Sequence, residues 1–270
     1  WESGYVRINN NTIGQLTNNG TDTQKDSLST RVQGIHASTF FLNIYENTIR
    51  DLVGHNGSTD VEKFVSVGGI IAESIFNEYT YNGERGYVEV NTIFNLSNVS
   101  GAQCRVTGLF YKGPRSNEIG SDYNTITRNF IHSLSVNNTG SVSLIFGIYT
   151  IGQVAYSNNI ISLGFNVPEN ARTEIFGMYE TGRLNNNAHI YFNTISIGGT
   201  TSQGSTVNSW AFYSENSNNS KRILNNLFHN VRTGPVSNTN AAIRLNSSAG
   251  VTIDYNNYYS QAGVVGRMGA

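Results

Sequence analysis

The chain has 270 residues, a formal net charge of −1, 13% charged residues and 38% hydrophobic ones, material for one large core in a single domain. Charged residues stand at about half the usual share of roughly 25%, so Asn, Ser and Thr must keep the surface soluble, a composition common in secreted proteins. The near-zero charge offers no basic field to nucleic acid or anionic lipid, no segment approaches the ~18 consecutive apolar residues of a membrane span, and the lone Cys104 excludes an intrachain disulfide.

Taken in chain order, one phrase recurs: an apolar residue, two positions, Asn, one position, an Ile-like residue, then a further aliphatic. It runs Ile8, Asn11, Ile13, Leu16; Ile44, Asn47, Ile49, Leu52; Val88, Asn91, Ile93, Leu96; and Ile126, Asn129, Ile131, Leu134. It continues as Tyr156, Asn159, Ile161, Leu163; Ile190, Asn193, Ile195, Ile197; Ile223, Asn226, Phe228, Val231; and Ile253, Asn256, Tyr258. The steps between successive Asn residues are 36, 44, 38, 30, 34, 33 and 30. Between them lies a second phrase, Gly or Ala before an apolar residue: Gly34-Ile35, Gly69-Ile70, Gly108-Leu109, Gly147-Ile148, Gly177-Met178, Ala211-Phe212 and Ala242-Ile243.

Short β-branched and aromatic runs bounded by Asn, Gly and Ser read as strands, and no sustained helical period appears. Repeats of this length without Leu dominance, and with at least two short strands per unit in fixed order, predict an all-β, right-handed, single-stranded parallel β-helix of about eight coils over residues 1–270. The repeated Asn is expected to occupy the left-handed corner and to ladder along the axis with the same side chain of the next coil. The Ile columns should face the core. Cys104 reads as a small buried side chain. The chain starts at Trp1 with no signal segment and is expected to be a piece of a longer surface protein.

Three features bear on chemistry. If the apolar residue of the Gly phrase faces inward, the next one faces out, giving a column of His36, Ile71, Phe110, Tyr149, Tyr179, Tyr213 and Arg244. Its aromatics would make a flat stripe suited to sugar rings, with Arg244 reaching hydroxyls; the alternative is that the rings simply stack on one another. The connection from Gly to Asn is longest in two adjacent coils, which hold Glu73, Glu78, Tyr79, Tyr81, Glu84 and Arg85, then Tyr111, Lys112, Arg115, Glu118, Asp122 and Tyr123. Long neighbouring loops on a rigid scaffold are a common place for binding, and equally are tolerated insertions. Lastly, Glu46 lies one before its Asn, Glu89 and Asp254 two before and Asp51 four after, so no equivalent position carries acids in two successive coils, as a hydrolase or lyase groove would need. These carboxylates read as solvated faces.

The segments Ile223-Leu-Asn-Asn-Leu-Phe-His-Asn230, Ala242-Ile-Arg-Leu-Asn246, Val251-Thr-Ile-Asp-Tyr-Asn-Asn-Tyr-Tyr259 and Phe192-Asn-Thr-Ile-Ser-Ile-Gly-Gly199 resemble the parallel β-helix repeats of large secreted bacterial surface proteins, including cargo of the type IX secretion route. The resemblance is good over about residues 120–270 and looser before. It implies a pectin-lyase-like superfold and an extracellular or outer-membrane address; a fold likeness alone licenses no activity.

The expectation is therefore a noncatalytic extracellular scaffold or adhesive module, with no cofactor, no metal and no catalytic residue. Its partners would be glycans or other cell-surface components, together with neighbouring modules of its own chain. The ligand-binding candidates are Phe110, Tyr149, Tyr179, Tyr213, Arg244, Tyr79, Tyr81 and Arg115. The alternatives are a polysaccharide lyase or glycoside hydrolase of the same superfold, and a structural spacer or filament subunit.

Overall fold

A computed structural model describes residues 5–20, 31–39, 41–57, 65–74, 86–113, 124–152, 154–181, 188–203, 207–215 and 220–269. The strands wind through three parallel sheets of eight strands each, visiting the sheets in strict rotation. The first sheet runs from Tyr5–Asn9 to Val251–Asp254, the second from Thr12–Asn18 to Asn257–Ser260, and the third from Val32–Thr39 to Gly266–Met268. Each strand pairs in register with its equivalent one coil on, as Ile126 beside Tyr156 and Ile161 beside Ile195. The chain is a parallel β-solenoid.

The Ile columns line a single interior. Ile44, Val88, Ile126, Tyr156, Ile190 and Ile223 from the first sheet meet Ile49, Ile93, Ile131, Ile161, Ile195 and Phe228 from the second, and Ile35, Ile70, Leu109, Ile148, Met178, Phe212 and Ile243 from the third. Each such side chain contributes about 1.5–3 kcal/mol by leaving water. Cys104 is buried among them, and its thiol is pushed up to about 12 by that burial.

The Asn ladder forms over all eight positions. Each Nδ2 donates to the Oδ1 one coil on: Asn11 to Asn47 at 3.0 Å, Asn47 to Asn91 at 3.0 Å, Asn91 to Asn129 at 2.9 Å, Asn129 to Asn159 at 3.0 Å, Asn159 to Asn193 at 2.9 Å, Asn193 to Asn226 at 2.9 Å and Asn226 to Asn256 at 2.8 Å. The same oxygen also takes the backbone N–H of the preceding ladder residue, for example Asn129 N–H to Asn159 Oδ1 at 3.1 Å.

One expectation needs correction here. The left-handed residue is not the ladder Asn but the residue before it: Asn10, Glu46, Val90, Arg128, Asn158, Phe192, Asn225 and Tyr255, with φ between 55° and 58°. The Asn side chain arches over that residue, as when Asn47 Nδ2 donates to Tyr45 O at 3.0 Å and Asn91 Nδ2 to Glu89 O at 3.0 Å. The corner is thus held by the amide next door, which is why Val and Phe are accepted there despite the steric cost to a side chain.

A second left-handed residue, at Gln15, Asp51, Asn95 and Ser133, bends the second sheet in the first four coils, where its strands span seven residues; from Ile160–Leu163 onward they span four. The acids near the ladder belong to this scaffold. Asp51 accepts from Asn95 Nδ2 at 3.0 Å and is held below the usual carboxylate range by that bond and by Arg50. Glu89 pairs with Arg128 at 2.5 Å, and Asp254 Oδ1 accepts the N–H of Tyr255 at 2.9 Å.

The third sheet breaks simple alternation. Ile145 and Ile148 both face the interior, Phe146 and Tyr149 both face out, and Gly147 lies between them. A Cβ on Gly147 would stand 2.5 Å from Gly177 O and 2.6 Å from Ile161 Cγ2. The γ-methyls of Ile49, Ile93 and Ile131 crowd Gly34, Gly69 and Gly108 in the same way, at 2.5, 2.6 and 2.6 Å. Where the next second-sheet residue is Phe228 or Tyr258, which carry no methyl on Cβ, the column holds Ala211 and Ala242 instead. Glycine here is the complement of a β-branched neighbour.

Candidate functional site

The break at the glycine column shapes the outer face of the third sheet. Two inward residues three apart leave two outward columns on either side of the glycine. The expected column is in register: His36 beside Ile71, Ile71 beside Phe110, then Tyr149, Tyr179, Tyr213 and Arg244, each beside the next. Beside it runs a second column that alternation placed inside, formed by Phe146, Phe176 and Trp210.

The two columns interleave. Phe146, Phe176 and Trp210 stack nearly parallel at 4.8 and 5.0 Å between centroids. Phe110, Tyr149, Tyr179 and Tyr213 meet edge to face at 5.2, 5.0 and 5.1 Å, the offsets aromatic rings prefer. The face is consequently not the flat exposed stripe that alternation suggests. Trp210 is 3% exposed and Tyr213 9%, because each ring covers its neighbours. What remains open is a groove of about 510 Å³ lined by Arg105, Phe146, Tyr149, Phe176, Tyr179, Trp210, Tyr213 and Arg244, with Gln103, Glu174, Asn208 and Glu215 at its margins.

An arginine stands at each end. Arg105 lies 4.4 Å from the Tyr149 ring and 4.8 Å from Phe146, and its Nε donates to Thr107 Oγ1 at 3.1 Å. Burial pushes its guanidinium down to about 10, against the pull of Tyr149 and Tyr179, so it is a cation at neutral pH. Arg244 lies 4.9 Å from Tyr213 and 5.6 Å from Trp210. Such contacts contribute about 0.5–2 kcal/mol each.

The carboxylates of the groove are engaged and far apart. Glu174 accepts from Asn208 Nδ2 at 2.9 Å, and burial raises it above the ordinary glutamate value. Glu215 Oε2 accepts from the Tyr179 hydroxyl at 2.7 Å, and burial together with this acceptor drives the Tyr179 phenol upward. By register Glu174 sits seven strand positions from the level of Glu215, about 20 Å of backbone at ~3.3 Å per residue. The two acids of a glycoside hydrolase stand within about 5–10 Å of each other. Among the described residues no group of three His, Cys, Asp or Glu is placed to hold a metal ion.

Other site expectations fare differently. Tyr79, Tyr81 and Arg115 lie outside the described residues, as do Glu78, Glu84, Arg85, Glu118, Asp122 and Tyr123. Tyr111, expected in a loop, instead lies within the third-sheet strand Arg105–Lys112 with its ring in the core, 1% exposed. Glu73 likewise belongs to a strand and pairs with Lys112 at 3.6 Å. Val231 does not continue the second-sheet core column; Asn230 takes that place beside Ile197 and donates to Ser209 O and Ala241 O, each at 3.0 Å.

Phe146, Phe176, Trp210 and Arg105 were missed by strict alternation. The available signal was an apolar pair three apart around the glycine: Val106 and Leu109, Ile145 and Ile148, Ile175 and Met178. Spacing of three rather than two marks a break in alternation at the glycine, kept in register from coil to coil, and that break turns the residue before the glycine outward.

Fold and groove together define a parallel β-solenoid with an Asn-laddered corner and an aromatic, arginine-bounded outer face. No known protein family matches the chain, and neither a curated protein nor a solved structure does.

Proposed function

We propose that this solenoid is a noncatalytic binding module that engages an extended sugar chain along the groove of its third sheet, as part of a secreted or outer-membrane surface protein of the parallel β-helix repeat type. The observation that carries the reading is the double aromatic column closed by Arg105 and Arg244. Ring faces and edges meet the C–H faces of sugars, and arginine, Gln103 and Asn208 supply hydrogen bonds to hydroxyls. The coil step of ~4.8 Å repeats these contacts on the scale of successive sugar rings. The wide separation of Glu174 and Glu215 favours holding a glycan over cleaving it.

A glycan array probed with the wild-type chain and with Tyr149→Ala plus Tyr179→Ala tests the proposal. Binding to a defined set of sugars should fall at least tenfold in the double variant. Binding that survives it unchanged removes the groove from the reading.

A further inference from the structure

Two hydrogen-bond donors at one end of the groove are buried without an acceptor among the described residues: Trp210 Nε1–H and Arg244 Nε–H. Both residues line the groove, and the Arg244 guanidinium lies across the pair of rings, 5.6 Å from Trp210 and 4.9 Å from Tyr213. Among the described residues no carboxylate comes within 4.0 Å of Arg244, and the nearby acids are already engaged, Glu174 by Asn208 and Glu215 by Tyr179. An orphaned buried donor costs about 1–3 kcal/mol. Here two of them belong to neighbouring groups, the indole and the partly exposed arginine that lies over it.

We infer that this end of the groove is a subsite for an oxyanion substituent, a sulfate or carboxylate carried on the bound sugar chain. The inference rests on the glycan reading above and adds the chemical class of the ligand. The oxyanion draws the Arg244 guanidinium off the Trp210 ring, accepts from it, and accepts the uncovered indole N–H. The Arg244 charge also acts on Glu174, which Asn208 already engages, and the two unpartnered groups at this end are both donors, which suit an oxyanion that accepts through every oxygen. Guanidinium suits this task through its planar array of N–H groups. Arg105 at the opposite end is bonded to Thr107 and packed on the Tyr149 ring and is not part of the subsite.

Three polymers with one backbone separate the outcomes: dextran, dextran sulfate and carboxymethyl dextran, titrated at constant ionic strength. The indole N–H resonance of Trp210, identified as the signal lost in Trp210→Phe, is followed alongside affinity. Arg222→Gln, on the exposed face of the first sheet, controls for loss of one positive charge. Dextran sulfate, carboxymethyl dextran or both should bind at least tenfold tighter than dextran and shift the Trp210 indole resonance; which of them does so identifies the substituent. Arg244→Gln should lower that affinity about tenfold, Trp210→Phe about threefold to fivefold, and Arg222→Gln not at all.

Equal losses in Arg244→Gln and Arg222→Gln, equal binding of all three polymers, or an unmoved indole resonance would each overturn the proposal. Array binding of neutral sugars that depends on Tyr149 and Tyr179, with the indole unmoved, removes the oxyanion subsite and leaves the glycan reading standing. An indole shift with sodium sulfate but with no polymer does the reverse.

Discussion

Replacing Asn159 by Ala removes the central rung of the ladder. Its side chain is fully buried; Oδ1 accepts the Asn129 N–H at 3.1 Å and Asn129 Nδ2 at 3.0 Å, while Nδ2 donates to Ile126 O at 2.9 Å and Asn193 Oδ1 at 2.9 Å. Truncation leaves the Asn129 N–H without an acceptor in a place water does not reach, a loss of about 1–3 kcal/mol, and deletes further bonds worth about 0.5–1.5 kcal/mol each. Asn129 Nδ2 retains Val88 O and Thr127 O, and Asn193 Oδ1 retains the N–H of residue 159, so the sum comes to about 4 kcal/mol. Asn11 at the end of the ladder is exposed and donates only to Asn47 Oδ1 and Asn9 O, each at 3.0 Å. Asn11→Ala should therefore cost about 1 kcal/mol, water replacing what is lost. Because solenoids need not unfold in one step, denaturant melts should be paired with hydrogen exchange, which should show lost protection centred on the coils of Asn129 and Asn159. Equal destabilisation by the two substitutions would refute the claim that buried amide pairing, rather than corner geometry alone, holds this edge.

Val90 is a β-branched residue at φ 56° and 40% exposed, so Val90→Asn should raise stability by about 1 kcal/mol; an unchanged or lower melting point would show that its contacts outweigh the strain. Gly147→Ala should destabilise by about 1–3 kcal/mol through its clash with Ile161 Cγ2 and Gly177 O. In Ile161→Leu, which carries no methyl on Cβ, the same glycine substitution should cost about 1 kcal/mol less; simple additivity in the double-mutant cycle would sink the pairing argument. Cys104 should resist iodoacetamide at pH 8 until the chain unfolds, since its folded thiol is raised to about 12 against about 8.5 in an unfolded chain. A folded value above the unfolded one means that its contribution is complete below pH ~8.5 and is lost as pH climbs toward the folded value. Stability between those limits should fall less steeply in Cys104→Val than in wild type.

The ladder and the inward columns were legible in the sequence because they repeat. Asn11 through Asn256 and the apolar or aromatic residue two positions after each, Ile in the first six coils and then Phe228 and Tyr258, occupy equivalent places in successive coils, and parallel stacking puts like beside like. The identity of the left-handed residue was hidden, since Glu46, Val90, Arg128 and Phe192 share no chemistry; what they share is the neighbour whose amide bridges over them. Tyr111 was misplaced for a related reason. Its strand extends past the aromatic column to Lys112, and strand ends carry no sharp signal where sequence-adjacent turns are masked by insertions.

The column Phe110, Tyr149, Tyr179 and Tyr213 could be read from period two, but whether it lies open could not. That depends on Gly147 and its equivalents, which are driven to glycine by Ile161 and its equivalents on another sheet. Side-chain periodicity is a local property of the backbone, so the composition of the repeat alone determined the winding and the core. The break in alternation, the second ring column and the arginines across the ends arise from contact between sheets, and only the folded coil brings those residues within reach of each other.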